Sequence, residues 1–220
     1  MLIPLQDILS KYGIYPKGLI HVGAHWAEEH EDYLKCGIER FVYIEPCKEA
    51  FEVMCTKLNA GFIGSGTMYL ASKDFKTLCF NFACGAKEEE IPMYVSHQNQ
   101  GQSNSLLRPE GHLSQHPEII FDDAEVVKVV TLDSLKVTGD LLVMDCQGYE
   151  GEVLKGGVDT LKQVSMIYTE VNRGQTYAGN MEIEEIDELL FDFKRVETFW
   201  PSPNWTWGDA VYIRKSLLNE

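Results

Sequence analysis

The sequence predicts an α/β fold: an open, mostly parallel β-sheet with helices on both faces and an antiparallel last strand. Two observations predict it. The N-terminal part alternates short aliphatic segments with polar or amphipathic ones in the order strand, helix, strand, helix, which is typical of a parallel sheet covered by helices. The last two strand-like segments are joined by the short sequence PSPNWTWG, which favours an antiparallel return over a helical crossover.

The first quarter of the chain contains the clearest pattern. Its expected elements are a helix over Leu5–Tyr12, a strand over Leu19–Val22, a helix over Ala27–Cys36, a strand over Phe41–Ile44 and a helix over Lys48–Leu58. Glycine or proline follows several of these segments, which supports their boundaries.

The next part of the sequence is less regular. A turn is expected at Gly61–Gly66, and the strand-like segment Thr77–Cys84 is expected to pair as a hairpin with Ile91–Ser96. Segment Gln98–Pro117 is polar, and a connection of this length is often a lid or a binding loop.

The C-terminal half returns to alternating elements. They are strands over Val126–Thr131 and Leu141–Met144, a helix over Glu150–Lys155, a strand over Ser165–Val171, a helix over Ile183–Phe191, and strands over Arg195–Trp200 and Ala210–Ile213. A length of 220 residues predicts a single domain, with residues 1–17 as a helical extension before the first strand. The sequence is also compatible with one domain of a longer protein.

Composition excludes several classes of partner. The chain has 19 Lys and Arg against 34 Asp and Glu, a net charge of −15, which repels nucleic-acid phosphates and anionic membranes. No apolar stretch approaches the ~20 residues of a membrane helix, and the N-terminus lacks the basic region and cleavage site of a signal peptide. The six cysteines form no CxxC pair, as is typical of reduced thiols. We therefore expect a cytoplasmic protein.

A nucleoside site is predicted at the carboxyl ends of the first two strands. Gly23 follows the first strand and allows close approach of a ligand, and Glu45 follows the second, 22 residues further on, where a carboxylate can accept hydrogen bonds from ribose hydroxyls. His25 and Glu28 stand where a pyrophosphate-binding loop would have glycines. The pattern therefore favours a nucleoside without phosphates, such as S-adenosylmethionine. The same two residues also occur in folds that bind no nucleotide.

Acidic and histidine side chains are the candidates for chemistry. Asp145 follows the Leu141–Met144 strand, where it is either a helix cap or a carboxylate that contacts the cofactor or polarises a hydroxyl. Glu170 lies within a strand, where a charge must be paired or must line a site. His112 is a candidate general base. The histidine pairs at i, i+4 spacing lack an HExxH motif or a Cys/His cluster, so we expect no metal site.

Seven stretches of the sequence resemble the FkbM-type family of S-adenosylmethionine-dependent methyltransferases. They are LIHVGAHWAEE, FVYIEP, NQGQSNSLL, VVTLDSL, LLVMDCQGYEGEVLKGG, IYTEVNRGQTYAG and WGDAVYIR, and they run in the family's order from Leu19 to Arg214. The resemblance implies the Rossmann-like class I methyltransferase sheet with an antiparallel last strand. It also implies S-adenosyl-L-methionine as cofactor and a hydroxyl as acceptor.

The resemblance also implies site residues. The cofactor would contact His21, Gly23, His25, Glu28, Glu45, Pro46, Ala83, Cys84, Asp145 and Cys146. Within this set, Glu45 would hold the ribose, and Ala83 and Cys84 would lie near the adenine. Two departures stand out: Ala27 replaces a common glycine, and Cys146-Gln147 replaces a hydrophobic-Glu pair, which removes any role that needs a carboxylate at position 147.

The expected reaction is methyl transfer to an oxygen, most simply the hydroxyl of a carbohydrate or glycan. Asp145 or Glu170 is the expected base, with His25 or His112 behind them. The expected acceptor-binding side chains are the polar and aromatic residues Asn172, Arg173, Tyr177, Trp205 and Trp207. Two alternatives remain open at this stage, a non-catalytic nucleoside-binding module of the same fold and a nicotinamide-dependent oxidoreductase. The sequence leaves the oligomeric state open.

Overall fold

The computed structural model describes residues 1–62, 69–71, 76–96 and 98–218. The strands of this part of the chain are β1 Gly18–Val22, β2 Arg40–Ile44, β3 Gly61–Phe62, β4 Tyr69–Ala71, β5 Thr77–Phe80, β6 Ala83–Cys84, β7 Glu89–Ser96, β8 Phe121–Val130, β9 Leu141–Met144, β10 Met166–Asn172, β11 Phe193–Phe199 and β12 Trp207–Arg214. The α-helices are α1 Leu5–Tyr12, α2 His30–Lys35, α3 Lys48–Lys57, α4 Gly111–Gln115, α5 Glu150–Lys155, α6 Val158–Leu161 and α7 Ile183–Leu189.

The main sheet confirms the predicted fold class. Its strand order is β11-β12-β10-β9-β1-β2-β5-β4-β3. Strands β5, β2, β1, β9 and β10 are parallel to their neighbours in this run, and β12 is antiparallel to both β10 and β11. Two short antiparallel strands, β4 and β3, extend the sheet beyond β5.

Helices cover both faces of this sheet, as the sequence predicted. Alternate residues of β1 illustrate the two layers, because Leu19 packs with α1, α2 and α3 whereas Ile20 packs with α5 and α7. All five residues of β1 and all four of β9 are buried, as expected for central parallel strands covered on both faces. The carboxyl ends of these strands therefore meet at one edge of a rigid scaffold.

One prediction of strand pairing is wrong. Segment Thr77–Cys84 is two strands, because β5 ends at Phe80 and β6 belongs to a second sheet of order β6-β8-β7. The Asn81 side chain lies at this break and donates to the carbonyls of Glu45 and Pro46 at 2.9 and 3.0 Å. Segment Ile91–Ser96 lies in β7 and pairs antiparallel with β8, so it forms no hairpin with Thr77–Cys84.

Several element boundaries also differ from expectation. Helix α2 begins at His30, because His25 and Ala27 have φ of 45° and 52°, a left-handed conformation that cannot belong to an α-helix. The Gln98–Pro117 segment contains the short helix α4. Of the expected turn at Gly61–Gly66, the first two residues form β3, and positions 63–66 lie outside the described residues.

Two global features accompany this architecture. Within the described ranges, no helix has both the length and the apolar character needed to cross a membrane. All six cysteines are present as free thiols.

Gly23 closes the gap between the ends of β1 and β9. Its φ is +76°, and a Cβ at this position would lie 1.9 Å from the carbonyl oxygen of Asp145. The backbone N–H of Gly23 donates to the carbonyl of Ile44 at 2.9 Å, which ties the same turn to β2. A side chain here would therefore separate three strand ends that meet at the edge of the sheet.

We expect Gly23→Ala to lower the free energy of unfolding more than Gly179→Ala. Gly179 has nearly the same φ, +78°, but nothing lies within 4 Å of its Cβ position. Both variants incur the roughly 1–2 kcal/mol cost of a left-handed L-residue, and Gly23→Ala must in addition displace the backbone of Asp145. Urea denaturation of both variants measures the difference. Equal losses would contradict the close contact.

Candidate active site

A cavity of about 420 Å³ opens at the carboxyl ends of β1, β2, β9 and β10. This volume is within the range of small-molecule sites. Its lining residues are Met1, Leu2, His21, Val22, Gly23, Ala24, His25, Glu28, Glu29, Glu45, Pro46, Ala83, Cys84, Met93, Gly101, Gln102, Asn104, Leu106, Asp145, Cys146, Gln147, Tyr149, Glu170, Trp207 and Asp209. All ten residues that the sequence assigned to a cofactor lie in this wall.

Glu45 is the fixed carboxylate of the cavity. It is buried at the end of β2, where its Oε2 accepts the N–H of His25 at 2.8 Å and its Oε1 accepts the N–H of Cys47 at 2.7 Å. Burial raises the pKa of Glu45 to about 7, although the two backbone N–H groups oppose this shift. The carboxylate is therefore held in one orientation and can still accept hydrogen bonds from ligand hydroxyls.

His25 joins the loop after β1 to the segment that follows β7. Its Nδ1 lies 2.7 Å from Glu28 Oε1 and its Nε2 lies 2.8 Å from the carbonyl oxygen of Gln100. Both partners are acceptors, so both ring nitrogens must carry protons. Although burial opposes it, these hydrogen bonds raise the pKa of His25. The ring also stacks on Trp26 at 4.8 Å, so His25 is engaged in holding the loop.

The part of the cavity between β2 and the second sheet is apolar. It is formed by Pro46, Ala83, Cys84, Met93, Leu106, Cys146 and Tyr149. Burial raises the pKa of Cys84 to about 12 and that of Cys146 well above its usual range, so both thiols are protonated and act as apolar wall. Next to the Glu45 carboxylate, such a wall suits a flat apolar ring attached to a polyol.

The opposite end of the cavity is acidic and carries Asp145, Glu170 and Asp209. Asp145 is exposed to the open cavity but lies deep in the fold, and burial raises its pKa to about 6. Burial and the neighbouring carboxylates raise the pKa of Glu170 well above the usual range. With a pKa of about 6, Asp145 is mostly ionised at neutral pH and able to accept a proton, whereas burial and the neighbouring carboxylates favour the protonated form of Glu170.

Gln147 connects these two acids, a role that the sequence analysis missed. Its Nε2 donates to Asp145 Oδ1 at 2.7 Å and lies 3.2 Å from Glu170 Oε2, and its Oε1 accepts the Tyr177 hydroxyl at 2.6 Å. The sequence did contain a signal for this role. Gln147 stands two residues after Asp145, which directly follows the end of β9, so both side chains belong to the same edge of the sheet. An amide here supplies hydrogen bonds to both acids without adding a third negative charge.

Asp209 has a different set of partners. Its Oδ2 accepts the N–H of Leu2 at 2.6 Å and the hydroxyl of Tyr168. Asp209 therefore fastens the N-terminal segment against one side of the cavity.

Five predicted site residues do not line the cavity. His112 is buried with its Nε2 3.1 Å from Ser103 Oγ, and burial together with His116 lowers its pKa to about 4. His112 is therefore not positioned to take a proton from a ligand in the cavity. Asn172, Arg173, Tyr177 and Trp205 also lie outside the lining, and Tyr177 reaches it only through Gln147.

The cavity wall contains no Lys or Arg among the described residues. Phosphate groups need cationic or clustered N–H partners, whereas Glu28, Glu29 and Glu45 surround the loop after β1. Such a wall favours neutral or cationic ligands over phosphorylated ones.

Comparison with known proteins identifies the family of the chain. Residues 21–196 match the family described as the methyltransferase FkbM domain. Over 121 residues the chain is 35% identical to the 2-O-methyltransferase NoeI of Sinorhizobium fredii strain NGR234, a match that covers 53% of this chain and 48% of that protein. The chain thus spans about half the length of this curated relative.

Solved structures show the same fold. The FkbM methyltransferase of Methylobacillus flagellatus KT superposes with a TM-score of 0.56 at 13% identity, over 90% of this chain and 43% of that one. The magnesium protoporphyrin IX methyltransferase of Synechocystis PCC 6803 superposes with a TM-score of 0.52 at 9% identity, over 96% of this chain and 76% of that one. Since the family match extends over most of the chain, from β1 into β11, the chain belongs to the FkbM methyltransferase family.

Proposed function

We propose that the protein is an S-adenosylmethionine-dependent O-methyltransferase that methylates a hydroxyl of a carbohydrate or glycan. The proposal rests on one observation: a single cavity contains both Glu45, a buried carboxylate suited to ribose hydroxyls, and the Asp145–Glu170 pair. Its described lining residues include no Lys or Arg. The methyl donor matches this wall in each part, because it has a ribose, a flat adenine and two cationic groups but no phosphate. The name of the relative NoeI supports an oxygen as the methylated atom.

The residues present fit the methyl donor. Glu45 would accept the ribose hydroxyls, and Ala83, Cys84, Met93 and Cys146 would contact the adenine. Gly23 lets the turn after β1 lie directly against the backbone of Asp145, so that both strand ends stand in the same wall. When bound, the donor supplies an electrophilic methyl group on sulfur.

Asp145 is the proposed base. Its carboxylate would accept the hydroxyl proton of the acceptor as that oxygen takes the methyl group, which the donor would release from its sulfur. Gln147 donates to this carboxylate and to Glu170, which holds both side chains at the same end of the cavity. Because aligned reactants gain much of the rate from proximity, most of the catalysis would come from positioning.

The acidic end suits a polyhydroxylated acceptor. Carboxylate oxygens and the Gln147 amide offer acceptors for several hydroxyl protons, and the Trp207 ring offers an apolar face. The same carboxylates and a net charge of −15 oppose anionic acceptors and nucleic acids. The free cysteines favour a reducing compartment such as the cytoplasm.

The first test is calorimetric titration with S-adenosylhomocysteine, with NAD as the control. We expect micromolar binding of the former and none of the latter, because the described wall has no Lys or Arg and its carboxylates repel a pyrophosphate. Binding of NAD instead would favour the alternative hypothesis of a nicotinamide-dependent oxidoreductase. Binding of S-adenosylhomocysteine without turnover of any hydroxyl acceptor would favour the non-catalytic module.

The affinity for S-adenosylhomocysteine should depend on the ionisation of Glu45. With a pKa of about 7, Glu45 is ionised at pH 8 and mostly protonated at pH 6, where it has fewer acceptor sites for ribose hydroxyls. Titration of the wild-type protein should show an affinity up to about tenfold lower at pH 6 than at pH 8.

Glu45→Gln provides the control for this pH dependence. The variant should bind roughly 10- to 100-fold more weakly at pH 8, from the loss of about 1.5–3 kcal/mol of charged hydrogen bonding, and lose most of the pH dependence. Glu49→Gln, an exposed position in the first turn of α3, should bind as the wild type does. An unchanged affinity in Glu45→Gln would remove Glu45 from the site.

Asp145→Asn should lower kcat by about 10²–10⁴-fold, the usual contribution of a general base. Binding of S-adenosylhomocysteine should remain within a few-fold, since the amide preserves the shape of the side chain. Glu170→Gln should have a much smaller effect on kcat, because burial and the neighbouring carboxylates favour the neutral form of Glu170, which the amide resembles. Loss of S-adenosylhomocysteine binding in a folded Asp145→Asn protein would make Asp145 a ligand of the methyl donor instead.

A further inference from the structure

The rim of the acidic end is formed by a pair of stacked tryptophans. Trp207 lines the cavity, and the Trp205 ring lies against it with centroids 5.3 Å apart and planes at 18°. The edge of His116 meets Trp205 at 5.3 Å. All three side chains are partly exposed, so they form one exposed aromatic cluster, the tryptophan rim, that begins at the cavity wall with Trp207.

Trp205 lies on the turn between β11 and β12, and Arg173 holds this turn. The Arg173 Nε donates to the carbonyl of Trp205 at 2.9 Å, and its Nη2 donates to the carbonyls of Ser202 and Pro203 at 2.9 and 2.8 Å. The backbone N–H of Arg173 donates to the carbonyl of Thr206 at 2.8 Å. One residue at the end of β10 therefore binds the turn at four of its carbonyl groups.

The guanidinium is also stacked. It lies 4.5 Å from the ring centroid of Trp200, at the start of the same turn. Planar stacking combined with a fork of donors is specific to arginine, since a lysine ammonium is a point charge without a plane. The sequence predicted Arg173 as an acceptor-binding side chain, but the structure directs its donors at the protein backbone.

A second contact fixes the other side of the turn. Gln115 of α4 accepts the Thr206 N–H at 3.0 Å and donates to Thr206 Oγ1 at 2.8 Å. The turn is therefore held between β10 and the polar segment after β7. Because Gln115 fixes Thr206, the conformation of the rest of the turn, Ser202–Trp205, depends on its hydrogen bonds to Arg173.

We propose that Arg173 is a positioning residue for the acceptor: it keeps Trp205 stacked on Trp207, and the tryptophan rim is the face on which a sugar ring of the acceptor lies. This inference rests on the proposed function. Trp207 alone presents one ring beside the carboxylates, whereas the stacked pair extends the apolar face outward and fixes the tilt of Trp207. Arg173 thus acts on the acceptor without touching it.

The test compares Arg173→Met, Trp205→Ala and the double variant, with Arg108→Met as the matched control. Arg108 is an exposed arginine, paired with Glu110 outside the rim. We expect Arg173→Met and Trp205→Ala each to raise the KM for the acceptor roughly three- to tenfold, the value of one aromatic contact. The double variant should be no worse than either single variant. In all four proteins kcat and the affinity for S-adenosylhomocysteine should stay within about twofold.

Circular dichroism gives a readout that does not need the acceptor. The stacked tryptophans should produce an exciton couplet that is lost in both Arg173→Met and Trp205→Ala and kept in Arg108→Met. This signal tests the positioning role even if the protein methylates no hydroxyl acceptor. A lack of methylation would contradict the proposed function and leave the positioning role to be decided by the couplet. A couplet that persists in Arg173→Met overturns the proposal. Additive effects on KM overturn it as well, because they would show that Arg173 contacts the acceptor directly.

Discussion

Burial of carboxylates without a basic partner is the constraint on which the site depends. Glu45, Asp145, Glu150 and Glu170 crowd the carboxyl ends of the central strands, and none forms an ion pair with Lys or Arg in the described part of the chain. Buried charge is costly unless hydrogen-bonded, so each carboxylate here is met by N–H groups. Glu45 accepts backbone N–H groups from the loops after β1 and β2, and Glu150 accepts one from the loop after β9. The conformation of these loops therefore depends on the carboxylates that they surround.

The same constraint explains the amide at position 147. A glutamate there would place another negative charge between Asp145 and Glu170, which already stand close enough for Asp145 to raise the pKa of Glu170. The amide instead donates to these neighbours and accepts from Tyr177. Two nearby acids with separated pKa values are a recurring way to keep one carboxylate ionised and the other protonated at neutral pH. The position that departs from the family pattern is therefore the one that hydrogen-bonds to both acids without adding a charge.

The sequence predicted the part of this site that depends on local rules. Strands β1, β2 and β9 are marked by short aliphatic runs, and their carboxyl ends must share an edge, so the sequence alone was enough to bring Gly23, Glu45 and Asp145 together. The second sheet could not be predicted in the same way. Strands β7 and β8 pair across about 25 residues of polar chain, and nothing local in Thr77–Cys84 shows that its last two residues leave the main sheet. Met93 and Leu106 reach the cavity only through that pairing.

The two ends of the cavity thus have different origins. The end that would hold the methyl donor combines strand-end loops of the parallel sheet with Ala83, Cys84 and Met93 of the second sheet. The acidic end is closed by three separate segments, after β7, after β10 and before β12, which contact one another through Gln115, Arg173 and Thr206. The segment after β7 also hydrogen-bonds to the loops after β1 and β9, whereas the turn before β12 is held by Arg173 and Gln115. Since loops tolerate change and carry binding residues, we expect the choice of acceptor to depend on these segments. The tryptophan rim lies among these segments. We therefore expect substitutions that reshape it to alter acceptor binding while donor binding is kept.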